Sequence, residues 1–192
     1  SRSMDFAMGE ERQIAGSVIT SRKVYDETGG WDAEDGFYRM PVFVVTHRPH
    51  DVVVKGETTF TFVTEGIKHA IEQASVAAGD KLVHIMGGAS IIQQALAAGL
   101  VDELFLHVAP VILNSGTRLF EHLGGPIQLE RAEVLKSRHA THLRHPLGVP
   151  LLVADRLTTG GDVVWTPQAR SHLWWRRSDP VPGAGDLVER HR

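Results

Sequence analysis

The residue types best placed to do chemistry in this chain are gathered at one turn, Gly87-Gly88-Ala89-Ser90, inside the stretch Lys81–Gly99, KLVHIMGGASIIQQALAAG. An apolar run of strand length, Leu82-Val83-His84-Ile85-Met86, leads into the turn. Apolar residues at Ile91, Ile92, Ala95 and Leu96 leave it at helical spacing, and Gly99 stands where a helix would end. Strand, glycine turn and helix start together aim unpaired backbone N–H groups and a positive dipole end at an anion, a phosphate above all. The glycines allow close approach of a ligand to the backbone, and Ser90 adds a hydroxyl. A Gly-Gly pair that merely turns a corner would look the same.

Other candidates for chemistry are weaker. Asp102-Glu103 follow the helix end and read as a solvated cap, and His107, inside an apolar run, reads as a hydrogen-bonded core residue. Asp32 and Asp35, after Trp31, belong to a surface loop that could line a substrate mouth. None of these is assigned as a catalytic acid, and the catalytic residues stay unknown. His139-x-x-His142-x-x-His145 has the look of a ligand series. It falls in a predicted strand, where i and i+3 point to opposite faces, so no metal site is expected. No G-x-S-x-G supports a hydrolase triad. No G-x-x-x-x-G-K-[ST] or G-x-G-x-x-G stands between a strand and a helix.

Composition narrows the setting. At 192 residues the chain makes one ordinary domain with room for a substantial core. A formal charge of −3, without a Lys/Arg cluster, gives no electrostatic case for nucleic acid. With no cysteine there are no disulfides, thiolate metal sites or Cys nucleophiles. No apolar run nears the ~18 residues of a membrane span, and the start lacks a secretory pattern. A cytoplasmic location is the default expectation. Position 1 is Ser, consistent with a fragment or a processed form.

The elements that must hold the turn follow in chain order. Residues 1–16 form a modest helix or irregular lead-in, Ser17–Thr20 a short strand, and Val24-Tyr25 a brief helical piece. Thr28–Gly36 is a loop by composition. Pro41–Thr46 is a β-branched run of the kind buried on both faces in a parallel sheet. Thr58–Val63 alternates as a strand, and Thr64 is a plausible N-cap for a helix whose stripe is Ile67, Ala70, Ile71, Ala74, Ala77 and Ala78, ended by Gly79. Leu104–Val111 is another strand. Ile127–Leu135 and Ala140–Arg144 form a closing pair that need not be parallel to the rest. Strands alternating with helices predict an α/β sheet with helices on both faces.

From about His145 onward the chain is enriched in Pro and Trp and carries no Lys. Leu151–Val153 and Val163–Trp165 could be stray strands, and Trp174-Trp175 could dock a partner. The segment 145–192 reads as an irregular or disordered tail after a domain spanning 1–144.

Several motifs together resemble the dihydrofolate reductase-like family. They match in particular its branch containing the C-terminal reductase domain of the bacterial bifunctional riboflavin-pathway deaminase-reductase. These are GGAS after KLVHIM, SRK after SVIT, TH-Arg after PVFVV, and the segments TTFTFVTEGI, AGLVDELFLHVAPVIL, GTRLFE and THLR. Their order and spacing, from Gly16 to Arg144, are more specific than any one of them. The resemblance implies a three-layer αβα domain with a mostly parallel sheet and a closing antiparallel pair. It also implies a reductase that uses NADPH to deliver a hydride to a small heterocycle or a ribosylamino-pyrimidine, of the 5-amino-6-(5-phosphoribosylamino)uracil reductase type. A reductase of another small substrate such as a pterin, or an NADPH-binding protein without turnover, is the alternative.

Carried over residue by residue, the resemblance makes Gly87 and Gly88 the paired glycines, often joined by a cis peptide, and Ala89 and Ser90 the helix start beneath the cofactor diphosphate. Ser21 and Arg22 become the turn near the diphosphate and the 2′-phosphate. Thr46, His47 and Arg48 become the loop gripping the adenosine end. Gly116, with Thr117, falls in a loop beside the cofactor. Arg22 and Arg48 each stand just past a predicted strand end, where a guanidinium fork suits a phosphate. The resemblance also implies a first strand and a glycine-containing loop ahead of everything seen here. The chain starts too late for these, so the expectation is a sheet lacking a central strand, with an unpaired edge. The apolar helix face at Ile91 and Leu96, beside uncovered strands, suggests a homodimer. No membrane or nucleic-acid partner is expected.

Overall fold

The computed structural model describes residues 14–31, 37–130 and 133–147, together with the backbone of Ala169–Trp175. The elements in order are β1 (Ala15–Ser21), α1 (Arg22–Glu27), β2 (Val42–Val45), β3 (Val53–Lys55), β4 (Thr58–Val63), α2 (Ile67–Ala78), β5 (Leu82–Gly87), α3 (Ala89–Ala97), β6 (Glu103–Val108), β7 (Glu133–Lys136), β8 (Thr141–Pro146) and β9 (Ala169–Trp175). They form one sheet of order β3-β4-β2-β1-β5-β9-β6-β8-β7. Strands β4, β2, β1 and β5 pair in parallel. Strand β6 runs the same way, since β9 is antiparallel to both β5 and β6. Strands β8 and β7 close the sheet as an antiparallel pair. The α/β class with a closing antiparallel pair is therefore the observed one.

Burial on both faces explains why β2 and β5 read as continuous apolar runs. On one face Ile19, Phe43, Val63, Val83 and Ile85 pack against α2 and α3, whose buried residues include Ile71, Ala74, Ile91, Ile92 and Leu96. On the other, Val18, Val42, Val44 and Phe60 pack under Tyr25 of α1 and under Trp31, Phe37, Tyr38 and Met40. Tyr25 meets Phe60 and Phe62 edge-on, with ring centroids 5.3 and 5.2 Å apart. The two faces are thus covered unequally, by two helices on one and by a short helix and an aromatic layer on the other. Among the described residues no helix is long and apolar enough to cross a membrane.

Several expectations are corrected. Strand β3 was not anticipated; it pairs with β4 across a turn at Gly56, whose φ is 55°. Helix α2 is capped at Gly66 with no side-chain bond, not at Thr64. Strand β6 stops at Val108, before Pro110 and its missing N–H, and leaves Val111, Ile112 and Leu113 exposed. The first closing strand is shorter than Ile127–Leu135, with a lone bridge at Leu129 and pairing only over Glu133–Lys136. Ala169–Trp175, inside the segment read as irregular, pairs as a strand between β5 and β6, where no strand was expected. Ile91 and Leu96 are 4% and 5% exposed within the single chain, so that helix face is filled and does not argue for a dimer. The lead-in before residue 14, Asp32, Asp35, Leu151–Val153 and Val163–Trp165 lie outside the described residues.

Candidate functional site

Parallel pairing assembles the site. Adjacent strands place Ser21 opposite Val45 and Thr20 opposite Gly87, so the carboxyl ends of β2, β1 and β5 stand side by side in that order. With strands about 4.8 Å apart, the turn after β2 lies roughly 10 Å from the turn after β5, and Ser21 stands between them. One extra residue in β5, between the partners of Ile19 and Thr20, bulges the strand just before the glycines. Buried Thr20 bonds there, its hydroxyl donating to the Gly87 carbonyl at 3.4 Å.

At the turn Gly87 has φ of +136°, a conformation that favours glycine. Gly88 is the N-cap of α3, and its carbonyl accepts from Ile91 N at 3.2 Å and from Ile92 N at 3.4 Å. The N–H groups of Ala89 and Ser90 precede the first helical bond and point out of the helix end. Gly88 is packed closely for a different reason: a Cβ there would lie 2.8 Å from Ser21 Oγ, which would have to move. That Oγ accepts from Val24 N at 3.3 Å and caps α1, so the two turns are packed against each other. No cis peptide occurs among the described residues, unlike the joined pair that the resemblance suggests.

The arginines converge on one carboxylate. Arg22 Nε donates to Asp26 Oδ1 at 2.7 Å, and Arg48 Nη2 lies 3.8 Å from Asp26 Oδ2. The Arg22 guanidinium carbon lies 5.4 Å from the Phe62 ring centre and 5.8 Å from that of Tyr25, on an aromatic platform that His50 extends at 4.4 Å from Phe62. Thr46 is buried, and its hydroxyl closes the loop by accepting from Arg48 N at 3.1 Å and donating to Arg48 O at 3.3 Å. His47 and Arg48 are exposed on that loop. Gly116 is exposed with open space around it, and its loop is tied to α3 by Gln93 Nε2 donating to Arg118 O at 3.0 Å. Ser21, Arg22, Thr46, His47, Arg48, Gly87, Gly88, Ala89 and Ser90 thus share one edge of the sheet, with Gly116 on the loop beside α3.

Two of the proton-donor candidates, Glu103 and His107, are engaged elsewhere. Glu103 begins β6 and accepts from Arg144 Nε at 2.6 Å, so it is not a helix cap. His107 faces His142 across the β6–β8 ladder in Nδ1–Nδ1 contact, and His142 reaches Ser137 Oγ at 3.1 Å. Adjacent to that pair Phe105 meets His107 edge-on at 4.5 Å. His145 is opposite Leu104 and His142 is opposite His107, on different faces of the sheet. No group of three or more metal-ligating side chains converges among the described residues.

A match to the RibD C-terminal domain spans residues 6–143. The chain belongs to that family. It is a family of riboflavin-pathway reductases, which makes oxidoreductase the class of this domain. Solved structures share the fold. A putative riboflavin biosynthesis protein from Shewanella sp. PV-4 superposes with a TM-score of 0.54 at 19% identity, over 72% of this chain and 77% of that one. The riboflavin biosynthesis reductase Rib7 of Saccharomyces cerevisiae gives 0.53 at 11% identity, over 77% and 82%. No curated protein matches the sequence.

Asp26 escaped the sequence reading. Its signal was the i, i+4 spacing from Arg22 in SRKVYDE, which marks a helical ion pair but not its second partner. Phe62 was likewise read only as a strand residue.

Proposed function

We propose that the domain is an NADPH-dependent reductase that delivers a hydride to a ribosylamino-pyrimidine of the 5-amino-6-(5-phosphoribosylamino)uracil type. One observation carries the reading: Arg22 and Arg48, the Ser21–Gly88 contact and the start of α3 line the carboxyl ends of three neighbouring parallel strands. The residues present fit a dinucleotide phosphate. At the glycine turn a Cβ at 88 would crowd the Ser21 hydroxyl that caps the facing turn, and the two guanidinium groups already share one anion, the Asp26 carboxylate.

NADPH supplies the hydride when bound, so the protein's part is holding and orientation. Ala89 and Ser90 offer backbone N–H groups and the dipole of α3 to the diphosphate. Ser21 fixes the facing turn, and Arg22 and Arg48 take the 2′-phosphate. Thr46 holds the loop that carries His47 against the adenosine end. The Gly116 loop, tied to α3, stands beside the cofactor. The location that goes with this reading is the cytoplasm. A homodimer is also proposed, through the edge strand β7, where Val134 and Leu135 are 51% and 44% exposed. Sizing chromatography that shows only monomer rejects it.

The cofactor reading is tested by titrating NADPH and NADH while following nicotinamide fluorescence. NADPH is expected to bind several-fold more tightly than NADH, and Arg22→Ala to erase the difference. Equal, millimolar binding of both overturns it.

A further inference from the structure

Asp26 holds both arginines of the candidate site, one on each carboxylate oxygen. Arg22 Nε is 2.7 Å from Oδ1 and Arg48 Nη2 is 3.8 Å from Oδ2. The three side chains are 23% (Arg22), 45% (Asp26) and 75% (Arg48) exposed, so the cluster is open to solvent. Arg22 is further fixed over Phe62 and Tyr25. A carboxylate and a phosphate compete for the same N–H fork, and Arg22 Nε cannot serve both at full strength.

We propose that Asp26 is a specificity-determining residue of this site, an internal anion that competes for the arginines with the anion they bind. As a specificity device it rests on the dinucleotide reading above. In the free protein Asp26 keeps the two guanidinium groups together and partly neutralised. A 2′-phosphate that takes Arg22 Nε must displace the carboxylate from it, and one held by the remaining guanidinium N–H groups still meets its negative charge close by. A dinucleotide with a free 2′-hydroxyl meets the opposite situation, because a carboxylate is a good acceptor for a ribose hydroxyl. Asp26 therefore narrows the preference for NADPH over NADH. The contribution of an exposed pair is modest, so removing the charge changes affinity by about two- to fivefold.

The test uses the full chain with Asp26→Asn, and with Asp26→Ala as a second variant, each confirmed folded by circular dichroism. NADPH is expected to bind about two- to fivefold more tightly to both variants, with NADH unchanged or weaker and the NADPH gain shrinking at high salt. Unchanged or weakened NADPH binding, or an equal gain for both cofactors, overturns the inference while leaving the dinucleotide reading in place. A second arm needs no cofactor: the rate at which phenylglyoxal modifies Arg22, read by mass spectrometry with and without inorganic phosphate. Faster modification in Asp26→Asn, with stronger protection by phosphate, supports the internal competitor. If no form of the chain binds either nicotinamide, the dinucleotide reading fails alone. An Arg22 modification rate that is the same in wild type and both variants then rejects the role of Asp26 as well.

Discussion

The contact between Gly88 and Ser21 is the seam on which the two turns of the site meet, and a double-mutant cycle measures it. A Cβ added at Gly88 falls 2.8 Å from Ser21 Oγ but 3.5 Å from Ser21 Cβ. The hydroxyl must therefore swing away, while the rest of the serine stays at ordinary contact distance. Swinging it away gives up the bond from Val24 N, which caps α1. Such a cap is worth about 1 kcal/mol, so Ser21→Ala alone costs about that much. Gly88→Ala loses the same cap and also puts Ala, a poor N-cap, at the start of α3, for a total of about 1.5–2 kcal/mol. In the double variant there is no hydroxyl left to displace. Its cost stays near 1.5–2 kcal/mol, which leaves a coupling of about 1 kcal/mol. Urea unfolding of the four proteins, followed by circular dichroism, reads the cycle; each kcal/mol also moves Tm by about 2–4 °C in a chain of this size. Additivity to within about 0.3–0.5 kcal/mol, or a neutral Gly88→Ala, would refute the packed seam.

Three further outcomes follow from the same geometry. Gly16→Ala should destabilise by about 1–3 kcal/mol or more in chemical denaturation, because its Cβ would lie 2.7 Å from Ala78 O and 2.8 Å from Ala78 Cα, backbone that cannot rotate aside. A neutral result contradicts the close fit of β1 against the end of α2. Thr46→Val removes both bonds that close the Thr46–Arg48 turn, and should cost about 1 kcal/mol while weakening binding of NADPH more than of NADH; equal effects on the two cofactors would detach that loop from the 2′-phosphate. The Glu65 carboxylate is held below the usual glutamate range by its own backbone N–H and by that of Thr64, 2.9 Å away. A lowered folded pKa stabilises above the unfolded value, and the contribution is lost as pH falls through the folded one. A carboxyl titration by NMR should place its midpoint below that of a model peptide, and Glu65→Gln should make the acid limb of the stability profile shallower. A midpoint at the peptide value refutes this.

How much of the molecule was legible in the sequence depends on what decides each element. Strands β2 and β5 were readable because burial between two layers demands apolar runs, and β4 because its residues alternate; both patterns show in one dimension. The glycine turn was readable for a related reason, since a positive φ at 87 and a Cβ at 88 that would crowd the Ser21 hydroxyl both favour glycine. Strand β3 was not, because it is an edge element that leaves Val54 67% exposed and takes its identity from pairing with β4. The place of β9 was hidden more completely: it pairs with β5 and β6 at positions far back in the chain, and no local pattern announces a long-range partner. The Arg22–Asp26–Arg48 cluster belongs to the same class. Its first pair is local, but its third member arrives only because the β1–β2 register puts Ser21 opposite Val45, bringing the loop after β2 over the side of α1. Residue types at a turn can be read along the chain, whereas the partner that tunes them is set by strand register. Shifting that register by one residue would turn β2 over and separate Arg48 from Asp26. The ion triad is therefore a sensitive report on whether β1 and β2 are paired as described.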